Sequence, residues 1–119
     1  MHRMKTIMII EDFEGTSELL RNIVENAGYK AITFDNGPDA LNNMHNSVDL
    51  ILCDINMPEM DGLEFASRLY EIKEYQHIPL IFVTGENQLK EEARNAGAKA
   101  FISKPFSKEK VLTVIEKVL

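Results

Sequence analysis

The chain has no tryptophan, one cysteine, four prolines, and 13 Lys and Arg against 19 Asp and Glu. Each shortage excludes something. A formal net charge of -6 argues against a nucleic-acid or anionic-membrane surface, since both need a basic patch. A single cysteine cannot form an intrachain disulfide. Cys53 lies inside an apolar run, so it reads as packing, and a reducing cytoplasmic setting fits. No apolar stretch is long enough to insert in a bilayer. The one after the basic start Met1 to Lys5 is too short for a signal-peptide core. No repeat, linker or low-complexity segment appears, and the chain ends as its last expected helix ends. What remains is 119 residues, 45% hydrophobic and 27% charged. That describes one domain, residues 1–119, with enough apolar surface for a core.

Apolar runs alternate with helical periodicity five times. Lys5–Ile10, Lys30–Phe34, Asp49–Cys53, Ile78–Val83 and Lys99–Ser103 read as strands. A helix is predicted over Thr16–Ala27, with Leu19, Leu20, Ile23, Val24 and Ala27 inward and Gly28 as its stop. The turn Asp35-Asn36-Gly37 precedes a short helix with Pro38 in its first turn, running to Met44. Further helices are expected over about Gly62–Glu74, more weakly over Glu86–Ala96, and after the cap Ser107 through Val118. The last should turn Val111, Leu112, Val114, Ile115 and Val118 inward. Near-continuous apolar strands imply a sheet covered on both faces, and their alternation with helices implies parallel strands with right-handed crossovers. The expected fold is α/β and flavodoxin-like: a doubly wound five-stranded parallel sheet, order 2-1-3-4-5, with five helices in three layers.

In such a fold, ligands bind at the carboxyl ends of the strands. Here those ends carry Glu11, Asp12, Asp54, Thr84 and Lys104. Three carboxylates stay ionised together only around a cation, and hard oxygen ligands on loops suit magnesium (Mg2+), with manganese (Mn2+) as an alternative. The metal would lower repulsion toward an incoming phosphoryl group and neutralise its charge in transit. Lys104 is a point charge suited to a phosphoryl oxygen, and Thr84 can donate a hydrogen bond to another. The remaining nucleophile is Asp54, and carboxylates do form aspartyl-phosphates. The residues therefore read as a site for magnesium-assisted phosphoryl transfer onto Asp54.

The motifs Glu11-Asp12, Asp54 with Met57-Pro58 and Asp61-Gly62, Thr84-Gly85, and Lys104-Pro105-Phe106 match in order, strand context and chemistry. Together they make the chain resemble a response-regulator receiver domain over nearly all of its length. Segments Glu11-Asp12-Phe13 and Asp54 to Gly62 look closest to chemotaxis-type single-domain regulators. The resemblance implies that Asp54 accepts phosphate from a sensor histidine kinase or a phosphotransfer protein, and that the chain catalyses its own phosphorylation and dephosphorylation. Metal ligands would be Asp12, Asp54 and the Asn56 backbone carbonyl, with Glu11 reaching the ion through water. Lys104-Pro105 would be cis. Thr84 would move toward the phosphoryl group and Phe101 would fill the space it leaves, changing a face made by the fourth helix, fifth strand and fifth helix. A downstream protein would dock there, the chain being a monomer that can pair on phosphorylation. Asn56 and Glu86 would lie near the attacking water and tune the phosphate's lifetime.

Three features depart from that pattern. Glu11 replaces the commoner Asp and is one methylene longer. Phe101 lacks a tyrosine's hydroxyl, so its inward state would rest on apolar burial. The span from Thr84 to Lys104 is about two residues shorter than expected. Inside a helix such a loss would turn later residues by about 200°, so it should fall in Gly85–Gln88 or shorten the start of the fourth helix.

Plainer readings stand beside these. Glu11 and Asp12 could cap a helix, Asn56 could cap a turn, Thr84 could be an ordinary strand end and Phe101 ordinary core. Met44, Met57 and Met60 read as packing. His2, His45 and His77 read as surface residues. Glu86, Lys90, Glu91, Glu92 and Arg94 read as a solvated helix face supported by spaced opposite charges. Competing functions are a receiver excised from a hybrid kinase or multidomain regulator, an interaction module that is never phosphorylated, a flavin carrier and an Asp-dependent phosphatase. A flavin phosphate would need a Ser/Thr/Gly-rich nest where this chain has Glu11-Asp12-Phe13-Glu14. The phosphatase class places its nucleophile after the first strand, whereas the candidate here follows the third.

Overall fold

The five apolar runs form strands because each is short and largely apolar. The computed structural model describes residues 3–119, so His2 lies outside the described residues. The strands are β1 (Thr6–Ile10), β2 (Lys30–Phe34), β3 (Val48–Cys53), β4 (Leu80–Thr84) and β5 (Ala100–Ser103). All pair in parallel, in the order β2-β1-β3-β4-β5. Parallel strands must be joined by crossovers, and four helices supply them: α1 (Glu14–Asn26), α2 (Gly37–Asn42), α3 (Gly62–Tyr70) and α4 (Lys90–Asn95), with α5 (Lys108–Val118) following β5 (Ala100–Ser103).

Alternation along each strand builds two cores. Ile7, Ile9, Leu50, Leu52, Ile81 and Val83 face α1 and α5, meeting Leu20, Ile23, Val24, Val111 and Ile115. Met8, Ile10, Ile51, Cys53, Leu80 and Phe82 face the other side, meeting Ala40, Phe65, Ala66, Leu69 and Ala93 of α2, α3 and α4. These are the expected three layers. Among the described residues no helix is long and apolar enough to cross a membrane.

The helix bounds differ from expectation at α1, which begins at Glu14 rather than Thr16, at α2, which ends at Asn42 rather than Met44, and at α3 and α4. Leu19 is 51% exposed because it sits at the margin of the α1 stripe, and Ala27 is exposed because it is already the cap. The stop itself is as expected, with Gly28 at φ +98. Helix α3 ends at Tyr70 rather than Glu74. There the Gln76 amide donates to the Tyr70 carbonyl at 3.0 Å, the Tyr70 hydroxyl donates to the Ile78 carbonyl at 2.7 Å, and a 3-10 turn follows at Lys73–Tyr75. Helix α4 begins at Lys90 and has only six residues. A 3-10 turn at Asn87–Leu89 takes its first turn, held by Ser103 Oγ donating to Asn87 Oδ1 at 2.7 Å. The fourth helix is thus short at its start, one of the two places where the missing residues were expected.

Candidate functional site

Backbone hydrogen bonds carry the sheet one residue past the strand ends. Glu11 N donates to Phe34 O at 3.0 Å, Asp54 N to Ile10 O at 3.0 Å and Lys104 N to Thr84 O at 2.9 Å. The residues just past β1, β3 and β5 are thereby fixed along one edge before any side chain is considered. Glu11 and Asp54 are buried, 3% and 6% exposed, and Thr84 is fully buried, while Asp12 is exposed. One carboxylate oxygen from each of Glu11, Asp12 and Asp54 lies within 4.8 Å of the other two.

One cation answers this acidic cluster. The Lys104 ammonium donates to Asp54 Oδ2 at 2.8 Å and to Glu11 Oε1 at 2.7 Å. The other oxygens accept backbone donors, Asp54 Oδ1 from Asn56 N at 3.2 Å and Glu11 Oε2 from Phe13 N at 3.1 Å. Burial raises the Glu11 carboxyl above its usual range, and the bonds from Lys104 and Phe13 only partly offset that. Burial would lower the Lys104 ammonium, but its bonds to Asp54 and Glu11 outweigh this and hold it charged to a higher pH than usual. The Lys104–Glu11 contact was not anticipated. Its signal was the extra methylene of Glu11, which lets the carboxylate reach a lysine 93 residues away.

The loop after Asp54 is held close by Gly62. A Cβ there would lie 2.3 Å from the Asp54 carbonyl oxygen and 2.8 Å from Ile55 Cα, and Gly62 N donates to Ile55 O at 2.7 Å. Glycine is needed here because backbone packs on backbone. Asp61 caps α3, its side chain accepting from Glu64 N at 2.8 Å. Between them Met60 N donates to Pro58 O at 2.7 Å across Glu59, whose φ is 69. Positive φ costs an ordinary residue about 1–2 kcal/mol, so the loop is held by its packing: Met57 is buried and Met60 packs against the core. Beneath Asp54, the buried Cys53 thiol donates to the Asp54 carbonyl at 3.1 Å, and burial raises its pKa well above the thiol range. It is inert packing, as expected.

Thr84 Oγ1 accepts from Glu86 N at 3.3 Å, which leaves its hydroxyl proton available. In register, Phe101 stands opposite Phe82 and Ser103 opposite Thr84, so Phe101 and Thr84 share a sheet face on neighbouring strands. Phe101 is half-buried against the α4 side, with the Lys90 ammonium 5.6 Å from its ring centroid. Among the described residues Lys90, Arg94, Glu86, Glu91 and Glu92 form no ion pairs, so the solvated face lacks the expected charge support. Asn56 is exposed at the site's edge; His45 and His77 are exposed and stand apart from the acidic cluster. Lys104-Pro105 is cis.

Comparison with known proteins agrees with this geometry. The family described as the response regulator receiver domain matches residues 7–116. The polar-differentiation response regulator DivK of Brucella anthropi is 39% identical over 118 residues, covering 97% of this chain and 96% of DivK. Among solved structures, the chemotaxis response regulator CheY4 of Vibrio cholerae superposes with a TM-score of 0.91 at 28% identity, covering 98% of this chain and all of CheY4. The receiver domain of a signal transduction histidine kinase from Syntrophus aciditrophicus gives 0.86 at 30% identity, covering 97% of this chain and 89% of that one.

Proposed function

The chain belongs to the response regulator receiver family of two-component signalling, and from that premise we propose that Asp54 is the residue on which it accepts a phosphoryl group. One observation carries the assignment: the Lys104 ammonium lies 2.8 Å from Asp54 Oδ2, inside a cluster where Glu11 and Asp12 are the other acids. Asp54 attacks the phosphorus of a phosphohistidine on a histidine kinase or phosphotransfer protein. A P–O bond forms as the P–N bond breaks, and the leaving imidazole keeps the electron pair. Lys104, already beside Oδ2, takes a transferred oxygen while Glu11 continues to hold the ammonium. Thr84 donates its free proton to a second oxygen.

The donor set fits a hard divalent ion, because three carboxylates share one lysine and the exposed Asp12 makes no ion pair among the described residues. Magnesium, or manganese in its place, would be held by Asp12, Asp54 and the Asn56 carbonyl, with Glu11 reached through water, and would supply charge neutralisation to the transferring group. Attack by water on the phosphoaspartate returns Asp54 and releases inorganic phosphate, with Asn56 and Glu86 placed to tune its rate. The added charge draws in Thr84, and Phe101, on the same sheet face, follows into the space. The face of α4, β5 and α5 then changes for a downstream protein. A cytoplasmic setting suits the free buried thiol of Cys53.

Incubation with magnesium and acetyl phosphate, followed by intact-mass measurement, tests the assignment. Wild type gains one phosphoryl group and Asp54→Asn gains none. Equal labelling of both overturns it.

A further inference from the structure

The segment joining β4 to α4 is held mostly by bonds within itself. Asn87 N donates to Gly85 O at 2.9 Å, Leu89 N to Glu86 O at 3.0 Å and Gln88 Nε2 to Glu86 Oε1 at 2.6 Å. Leu89 packs against the core, but the turn it ends has no side-chain cap. Gly85 lies in open space, where an added Cβ would meet nothing within 4 Å. Two side-chain contacts tie this region to β5. Ser103 Oγ donates to Asn87 Oδ1 at 2.7 Å, and the Lys90 ammonium lies 5.6 Å from the Phe101 ring centroid.

One side of the Ser103–Asn87 bond is fixed and the other is not. Ser103 stands opposite Thr84 in the ladder, and Lys104 N donates to Thr84 O at 2.9 Å, so the end of β5 is held by the sheet. Phe101 and Ser103, two residues apart, share one face of that strand. Asn87 is exposed and follows Glu86, whose N donates to Thr84 Oγ1 at 3.3 Å. When Thr84 turns its hydroxyl toward a phosphoryl group, the bond to Glu86 is lost, and the unpacked backbone at Gly85 can follow. The Ser103–Asn87 bond then stretches, and a shift of about 1 Å is enough to end it.

We propose that Ser103 and Asn87 form a clasp that holds the start of α4 on β5 in the unphosphorylated form and opens on phosphorylation. Its opening rests on Asp54 as the phosphoryl acceptor; its closure does not. A contact made in only one of two states opposes passage to the other. The clasp is therefore autoinhibitory, and its removal should tighten the binding of any group that favours the phosphorylated arrangement.

Ser103→Ala, Asn87→Ala and the double variant test this in the whole chain. Gln88→Ala is the control, since it loses a bond inside the segment and none to β5. Without ligand, hydrogen exchange at the Asn87 and Leu89 amides, followed by NMR, should quicken about fivefold in each single variant, the factor one net hydrogen bond supplies. The double variant should go no further, because both substitutions remove the same bond. Titration with beryllofluoride, a phosphoryl mimic, in saturating magnesium should show about fivefold tighter binding in the same variants. Gln88→Ala should match wild type in both measurements. Unchanged exchange, additive effects of the two substitutions, or an equal response from Gln88→Ala overturns the clasp. Faster exchange with unchanged beryllofluoride affinity overturns its opening. Absence of beryllofluoride binding in wild type overturns the Asp54 assignment and the opening with it, while exchange still decides the clasp.

Discussion

At the carboxyl end of the sheet one ammonium stands among three carboxylates; at the amino end Lys5, Lys99 and Lys117 border one open depression together with Asp49 and Leu119. Both ends collect charge because apolar strands leave polar residues only where they start and stop. Burial separates them. Glu11 and Asp54 are almost wholly buried, so each of their oxygens has found a donor, and Lys104 is held between them. Lys5, Lys99 and Lys117 are exposed and water can solvate them singly. A buried excess of charge is resolved inside the protein by fixed hydrogen bonds. An exposed excess is left to water.

The comparison can be broken most forcefully at Gly62. Gly62→Ala pushes a methyl into the Asp54 carbonyl and should cost about 3 kcal/mol of stability by denaturant titration. A loss below about 1 kcal/mol would mean that the carboxyl end is looser than its contacts imply.

Next comes one charge removed at each end. Lys104→Met should cost about 2 kcal/mol without metal, less than for a fully buried pair because the side chain is a quarter exposed. Lys99→Gln should stay within about 0.5 kcal/mol. Equal costs would erase the distinction by burial. Calorimetry of magnesium binding should show tighter binding in Lys104→Met, since a competing cation has gone.

Smaller effects follow from pH. The Lys104 pKa is raised by folding, so its contribution is complete below the unfolded value near 10.5 and is lost as pH rises through the folded value. The gap between wild type and Lys104→Met should therefore shrink in strong base. The Glu11 pKa is also raised, so the sign is the same: the folded state keeps its proton to a higher pH than the unfolded chain. Without metal, stability should fall as pH rises from about 4.5, and Glu11→Gln should flatten that slope. An unchanged slope would place the charge burden on another acid.

Much of this molecule was legible before its structure. The strands were, because a run such as Ile7-Met8-Ile9-Ile10 is apolar throughout. So were Glu11, Asp12, Asp54, Thr84 and Lys104 as one set, because parallel strands place every carboxyl end on the same edge. The ends of α3 and α4 were not. Periodicity over Gly62–Glu74 favoured continuation, but Gln76 and Tyr70 close the helix with bonds that no local pattern encodes. Leu19 has the right spacing for an inward face, yet nothing packs over it fully.

By itself the sequence determined the alternation of elements, the strand order through the resemblance, and which residue types stand at the strand ends. Hydrophobic periodicity and residue type are local quantities, so they can be read locally. Only the tertiary structure decided that Glu11 holds Lys104, that Gly62 must lack a Cβ, and that Lys5, Lys99 and Lys117 share one hollow. Those are distances between remote parts of the chain. They depend on how every intervening strand and helix packs, and no short stretch of sequence contains them.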